Sequence, residues 1–417
     1  MKTKLKELYR NILRLSPLYF KTKKDIYQIT DYESLVKEHI QEAVRTVPFY
    51  SNYNHFLTKD FNISDLPIIR KKDIVGKESL LISSKCNKSL LRKVETGGST
   101  GVSLTLYRSL SDTIKDIAFT DFIFSLIGKR LAIAIMRGQK PKNGIYEELS
   151  PKKILLSSYS ICPENLDLYI TILKKYKISC IHAYPSSLSI LARLIKSKYG
   201  SINLPHLKGI LTSSEIFSVD DKNLVRNVFP GIKIIDYYSQ NEQTCCAYSV
   251  DNGNFIFNPN YGFVEFIETG ETKNGNRIAE IVATSIMNKT MPFIRYGTED
   301  FVELDNDNRI ISIIGRSSDF VVNKLNNIVP CIVLTRPHTL QNVTNFQYYQ
   351  DSVGFLHFKV VTTSNFTEKD ITDITKDIHS SFNNLMDCSI DIVPFIERTK
   401  AGKQKRLIQL LNLNNYK

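Results

Sequence analysis

Ile181-His-Ala-Tyr-Pro-Ser-Ser187 is a short apolar run that stops at a proline, and the periodicity on either side of it decides the fold. From Ser187 to Lys198 the residues Ile190, Leu191, Leu194 and Ile195 recur at helical spacing, and Gly200 closes the segment. Leu207-Lys-Gly-Ile-Leu-Thr212 then reads as a strand again. Ser186 or Ser187 is the expected cap where strand gives way to helix. Upstream, Leu131 to Met136 is strand-like, and Pro163 to Lys177 carries Leu166, Ile170 and Leu173 on one helical face. Downstream, Ser218-Val-Asp-Asp opens another helix and Ile232 to Ile235 is a β-branched strand. This alternation predicts an α/β domain with a mostly parallel, helix-covered sheet.

From Tyr261 the period shortens to two. Phe263 to Glu268, Ile278 to Thr284 and Phe301 to Leu304 predict an antiparallel sheet or barrel. After Gly315 a smaller unit is expected: a hairpin over Phe320 to Pro330 turning at Asn326-Asn327, and a strand at Phe355 to Val361. A helix capped by Thr367 carries Ile371, Ile374 and Ile378, and Ser389 to Val393 is a further strand. Residues 1 to about 60 read as helices, with Leu35, Ile40 and Val44 at near-helical spacing, and Ser64 to Asp73 is a loop leading into another helix. A chain of 417 residues exceeds one core of the usual size. The expected division is a large domain over 1–315 and a small α+β domain over 316–417.

Composition excludes several classes. With 42% hydrophobic and 23% charged residues, the chain is that of an ordinary globular protein. No apolar run approaches the roughly 20 residues of a membrane span, and no signal-type segment succeeds the basic start Met1-Lys-Thr-Lys-Leu-Lys. No stable membrane span and a cytoplasmic location are expected. Seven scattered cysteines without a CxxC pair argue against a disulfide framework or zinc finger. The net charge of +13 is spread along the chain as a solvated basic surface, without a nucleic-acid signature, so no nucleic-acid partner is expected.

Thr96-Gly97-Gly98-Ser99-Thr100-Gly101 comes directly after the strand-like Leu91-Arg-Lys-Val-Glu95. Glycines let backbone N–H groups approach phosphate oxygens, and the hydroxyls donate further hydrogen bonds. The run is neither a Walker loop nor a dinucleotide fingerprint, and alone it also serves as a plain turn. Thr212-Ser-Ser-Glu215 stands at a strand end, where open α/β sheets bind ligands.

Together these segments resemble the adenylate-forming (ANL) superfamily, from about residue 60 onward. The resemblance is to its phenylacetate–CoA ligase-like branch, and within that to members of capsule and O-antigen polysaccharide clusters. It rests on several motifs in order: the glycine-rich loop; Tyr184-Pro185-Ser186; Ser214-Glu215; and Asp236-Tyr-Tyr-Ser-Gln-Asn-Glu242. Pro292-Phe-Ile-Arg-Tyr-Gly-Thr-Glu-Asp300, Gly315-Arg-Ser-Ser-Asp319 and Arg398-Thr-Lys-Ala-Gly-Lys403 complete the series. The family's Y-G-x-T/S-E and R-Y-x-T-G-D segments have glycines where this chain has Ser239 and Glu299, and Asn241 replaces the usual hydroxyl residue.

The resemblance implies a multi-layer ATP- and acyl-binding domain with parallel and antiparallel sheets, and after it a small mobile α+β lid. It implies that Thr96 to Gly101 grip the phosphates and that Ser214, Glu215 and Tyr238 lie by adenine. Asp300 and Arg316 would bind ribose, and Glu242 would hold Mg2+. Tyr184, Pro185 and Ser186 border the acyl pocket, which also draws on the region near Arg137 and residues around Tyr238; Asp319 is the hinge, and Lys403 neutralises charge between carboxylate and α-phosphate. The implied activity is ATP-dependent formation of acyl-AMP from a small carboxylate, then acyl transfer to coenzyme A or to an amine such as an amino sugar, in surface polysaccharide synthesis. ATP, Mg2+ and coenzyme A are the implied small molecules, and a homodimer is allowed. Many relatives hold a Cys/His zinc site after the magnesium glutamate, but here no histidine follows Cys245-Cys246 before His338, so no structural zinc is expected. Glu299 and the altered Tyr-Ser-Gln-Asn-Glu segment carry the alternative: a catalytically altered nucleotide-binding protein of the same fold.

Overall fold

The computed structural model describes residues 2–28, 32–58, 61–96, 103–142, 144–273, 275–316, 320–330, 339–399 and 402–416. The chain forms two compact units, one of Met1–Lys129 with Tyr237–Ile313, the other of Arg130–Asp236 with Ile314–Lys417.

The first unit opens with helices α1 (Lys2–Leu13), α2 (Pro17–Asp25) and α3 (Tyr32–Thr46). Pro17 starts α2, where its missing N–H costs nothing, and the Ser16 hydroxyl caps it by accepting from Tyr19 N at 3.2 Å. Helix α3 buries Val36, Ile40, Ala43 and Val44, whereas Leu35 is 41% exposed. The buried stripe therefore starts one residue later than the spacing from Leu35 predicted. A short helix α4 (Lys71–Ile74) comes next, then the antiparallel pair β1 (Arg92–Glu95) and β2 (Thr105–Arg108), in which Glu95 faces Thr105. Helix α5 (Leu110–Ser125) begins with a reciprocal cap between Ser109 and Asp112.

The chain then builds the α/β part of the second unit. Its elements are β3 (Ile133–Met136), β4 (Tyr146–Ser150), β5 (Lys153–Leu156), α6 (Leu166–Lys175), β6 (Cys180–Ala183), α7 (Pro185–Tyr199), β7 (Gly209–Ser213), α8 (Val219–Val228) and β8 (Lys233–Ser239). The sheet order is β8-β7-β6-β3-β5-β4. Strands β5, β3, β6 and β7 run parallel, with β4 antiparallel at the edge. Strand ends Met136, Ala183 and Ser213 therefore share one margin of the sheet. The expected serine cap is not used. Helix α7 starts at Pro185, which is preset for a first helical position, and Tyr184 takes the cap position without a side-chain bond.

Returning to the first unit, β9 (Cys246–Val250) pairs antiparallel with β10 (Ile256–Phe257). Strands β11 (Gly262–Lys273), β12 (Asn276–Ser285), β13 (Tyr296–Leu304) and β14 (Ile310–Arg316) form a four-stranded sheet in chain order, so the open sheet rather than the barrel is realised. Strand β13 carries a bulge: Gly297 faces Val282 and Phe301 faces Glu280, leaving extra chain on β13.

The second unit ends with β15 (Phe320–Val322), β16 (Ile328–Pro330), β17 (Val343–Ser352), β18 (Phe355–Thr362), α9 (Glu368–Ser381), β19 (Asp387–Ile392) and β20 (Leu407–Gln409). Strands β15 and β16 form the expected hairpin, with Asn326 left-handed at its turn. The other four strands are ordered β19-β18-β17-β20 under α9, whose Ile374 and Ile378 are buried. Among the described residues no helix is long and apolar enough to cross a membrane.

Candidate active site

In the first unit, Tyr238 and Asp300 meet, two of the five residues expected at the nucleoside; Ser214 and Glu215 belong to the second unit. Tyr238 Oη donates to Asp300 Oδ2 at 2.7 Å. Gln240 Nε2 reaches both Tyr238 Oη at 2.6 Å and Asp300 Oδ2 at 3.1 Å. Thr244 Oγ1 in turn donates to Gln240 Oε1 at 2.6 Å, fixing which end of the amide points at the carboxylate. Burial, with the Asp300 charge next, raises the Tyr238 phenol well above its ordinary pKa, so it remains a donor at neutral pH. Gln240 was missed from sequence. Residues i and i+2 along an extended segment share a side, so its spacing from Tyr238 was the available signal.

The backbone holding Asp300 is unusual. Glu299 has φ of +60°, in the left-handed region where glycine is at ease. It lies within the bulge of β13, and its N–H points to Glu280 Oε1 at 3.3 Å. Arg70 holds that same Glu280 in a two-pronged ion pair at 2.6 and 2.8 Å. Asp300 N donates to Thr298 Oγ1 at 3.1 Å, which sets the aspartate after the bulge.

Glu242 is buried in the turn after β8. Arg108 reaches across to Asn241 O at 2.6 Å, and Gln243 beside it is left-handed and buried. Mg2+ delivered with a nucleotide asks for one or two protein carboxylates, the phosphates and water supplying the rest. A single buried carboxylate fits that demand. Among the described residues no group of three or more His, Cys, Asp or Glu side chains is arranged to hold a metal ion by itself.

Of the glycine-rich loop expected to grip phosphate, Thr96 is described. Its backbone pairs with Leu104 (N to O, 3.0 Å), its Oγ1 accepts from Leu104 N at 2.8 Å, and its carbonyl accepts from Ser103 Oγ at 2.5 Å. These bonds close the neck of the loop between β1 and β2. Gly97, Gly98, Ser99, Thr100, Gly101 and Asp319 lie outside the described residues, as does the side chain of Arg316.

In the second unit, the residues expected to border an acyl pocket and the C-terminal motif converge at the shared strand margin. Glu215 is the junction: Oε2 accepts from Ser186 N at 3.0 Å and Oε1 from Gln404 N at 2.8 Å. The residue next to Lys403 is thereby tied to the start of α7. Arg398 Nη1 donates to Ser187 Oγ and to Gly402 O, both at 3.1 Å. Thr399 closes the loop, its N–H donating to Lys403 O at 2.9 Å while its Oγ1 accepts from Lys403 N at 3.2 Å. Burial lowers the Arg398 pKa, and Glu215 opposes the effect. Lys403 is half-buried in this loop.

Opposite the loop, Arg137 stands just past β3. It donates through Nη2 to Ser214 Oγ at 2.9 Å, approaches His182 Nε2 at 3.2 Å and lies 5.2 Å from the Tyr184 ring centre. Ser214 takes a left-handed backbone, with φ of +73°, where the chain turns out of β7. The Ser186 hydroxyl is buried without a hydrogen-bond partner among the described residues. His182 falls within the Ile181–Ser187 stretch, and the region near Arg137 is one expected at the pocket from sequence. Tyr159, whose Oη donates to Gly138 O at 3.0 Å and whose ring centre lies 5.7 Å from the Arg398 guanidinium, had no sequence motif to mark it. All three gather because parallel strands end together.

Residues 321–409 match the CapK C-terminal domain. Over 365 residues the chain is 26% identical to Protein CapK of Staphylococcus aureus, spanning 82% of this chain and 79% of that protein. Among solved structures it is similar to 2-hydroxyisobutyryl-CoA ligase in the postadenylation state with R3-HIB-AMP, at TM-score 0.66 and 14% identity, over 90% of this chain and 88% of that one. It is also similar to the anthranilate CoA ligase AuaEII with anthranoyl-AMP, at TM-score 0.53 and 12% identity, over 77% and 67% of the two chains. The chain therefore has the fold of the adenylate-forming ligases and carries a C-terminal domain of the CapK type.

Proposed function

We propose that this protein is an ATP-dependent ligase that converts a small carboxylate to its acyl-adenylate and passes the acyl group to coenzyme A or to an amine, such as that of an amino sugar. The observation that carries the reading is the double use of Glu215. One carboxylate holds both the start of the acyl-pocket helix, through Ser186 N, and the loop bearing Lys403, through Gln404 N. Support comes also from the solved ligases of this fold that hold R3-HIB-AMP and anthranoyl-AMP.

In the first half-reaction a carboxylate oxygen attacks the α-phosphorus of ATP, and the bond to pyrophosphate breaks. The acid is already ionised, so no base is required, and the protein contributes position and charge. Lys403 would offset the negative charge gathering between carboxylate and α-phosphate. Its single mobile ammonium suits a group that enters and leaves. Tyr238, Gln240 and Asp300 would fix the nucleoside, and Ser99 and Thr100 would donate to the phosphates. Mg2+, on Glu242, would supply charge compensation at the phosphates. Acyl transfer would come after rotation of the small domain, residues 316–417, about Asp319. The polysaccharide setting rests on the motif resemblance and on the CapK relative.

The test is acid-dependent pyrophosphate release over a carboxylate panel, with coenzyme A or amino sugars present or omitted. Release with any acid, abolished in Lys403→Ala, is the expected result. Tight ATP binding without release from any acid would instead favour the catalytically altered member, the reading that Glu299 and Ser239 motivate.

A further inference from the structure

Helix α1 carries an apolar stripe that the protein leaves uncovered. At 3.6 residues per turn, Leu5, Leu8, Tyr9 and Ile12 fall within an arc of roughly 100°. They are 66, 57, 48 and 58% exposed, and Leu15 and Phe20, just beyond the helix in the chain, are 74 and 58% exposed. Isolated exposed leucines need no explanation, but a contiguous row of large apolar side chains on one helix face does. The helix is not adrift. Leu13 is buried with Tyr19, Ile114 and Ile117, and Arg14 at its end holds Asp121 with bonds of 2.6 and 2.8 Å. The chain is anchored on one side and presents leucine, isoleucine and tyrosine on the other.

The surrounding charge identifies what covers that face. Residues 2–25 contain Lys2, Lys4, Lys6, Arg10, Lys21, Lys23 and Lys24, besides the Asp121-bound Arg14, against the acids Glu7 and Asp25. Two copies meeting through this face would bring those like charges together. An anionic lipid surface neutralises them and accepts the apolar stripe at headgroup depth, with tyrosine well suited to the boundary. No described helix can span a bilayer, so the contact would lie in its plane. We propose that α1 and the start of α2 form an interfacial docking face for membranes rich in anionic phospholipid. The inference goes beyond the adenylation reading and does not depend on it.

The experiment is co-sedimentation of the full chain with phosphatidylcholine vesicles containing phosphatidylglycerol, and with phosphatidylcholine vesicles alone. Binding is expected to the anionic vesicles and to weaken with salt. Each basic residue near the surface is worth about fivefold in partition. Leu8→Gln with Ile12→Gln keeps the charge and removes half the stripe, and should lower partition by about tenfold or more. Both side chains are exposed, so the thermal transition of the double variant should match the parent and separate lost docking from lost folding. No partition, or partition untouched by the double variant, overturns the proposal. Self-association that the double variant abolishes, without vesicle binding, also overturns it in favour of a second copy.

Discussion

Gly402→Ala is the substitution whose outcome the structure defines most sharply. A Cβ at this position would stand 2.3 Å from Gly138 Cα, 2.5 Å from Tyr159 Oη and 2.8 Å from Gly138 O. The tyrosine could swing away, giving up its 3.0 Å bond to Gly138 O, but Gly138 is itself backbone. Ordinary carbon contacts lie near 3.5 Å, so the loop must retreat by about 1 Å. The residue also sits at φ of +75°, where an L-residue costs about 1–2 kcal/mol. That retreat acts on a loop held by Gln404 N on Glu215 and by Arg398 on Ser187, and it carries Lys403 away with it. Misplacing a charge by about 1 Å at a reacting centre costs on the order of 100-fold. Acid-dependent pyrophosphate release at saturating ATP should fall by about that factor. Acyl transfer from a preformed adenylate, which in the proposed cycle comes after withdrawal of Lys403, should fall much less. Full-rate adenylation by the variant would refute the close seating of this loop as a requirement. An equal loss in both half-reactions would reduce it to a structural prop.

Tyr238→Phe removes the donor to Asp300 and should raise the KM for ATP by about 5- to 30-fold, the equivalent of about 1–2 kcal/mol for a hydrogen bond to a buried carboxylate; an unchanged KM would detach the pair from nucleotide binding. His39 is buried with neither ring nitrogen hydrogen-bonded among the described residues, and its pKa is pushed down to about 4, first by burial and then by Lys289, with Glu42 opposing and Lys115 adding. Its folded value lies below the ordinary one of about 6.5, so this contribution to stability is complete above that pH and is lost as pH falls toward 4. Between pH 7 and 5 the His39-dependent loss should be about 2 kcal/mol in denaturant titrations, and His39→Leu should flatten that slope. Glu299→Gly should leave the fold intact and change stability by between zero and about 1 kcal/mol in its favour, since relief of the left-handed backbone is partly offset by glycine's greater freedom when unfolded. Glu299→Val at the same φ should be destabilising by more than about 1 kcal/mol, as read by thermal unfolding.

The architecture was legible where one periodicity dominates. Helix α7 and strand β7 were readable because Ile190, Leu191, Leu194 and Ile195 share one face and a glycine stops the helix. Strand β17 was missed because Asn345, Gln347 and Gln350 are buried amides among its aromatic residues. Gln350, for example, accepts from Val322 N and donates to Val322 O, each at 2.8 Å, a pairing no local pattern announces. The candidate site divides in the same way. Tyr238, Asp300 and Lys403 were singled out through motifs, each a short string in a fixed order. Gln240 and the seat of Gly402 on Gly138 depend on which strand ends and loops come together. A sequence without that topology leaves them as ordinary glutamine and glycine.

The replacement of the family's glycine by Glu299 illustrates the limit most clearly, because its meaning depends on a dihedral angle. Read as letters, an acid beside the proposed ribose-binding aspartate suggests a site put out of use. In the folded chain the glutamate keeps the left-handed backbone that a glycine would take, at φ of +60°, and β13 absorbs it as a bulge. The backbone cost is about 1–2 kcal/mol, of the size a folded domain tolerates routinely. Meanwhile Asp300 is buried, bonded to Tyr238 and Gln240, and set by Thr298. The substitution therefore acts on stability more directly than on the carboxylate it precedes. For the non-catalytic alternative to rest on this position, Glu299→Gly would have to restore pyrophosphate release that the parent lacks. A gain in thermal stability alone, with release unchanged, would leave that alternative without its main structural ground.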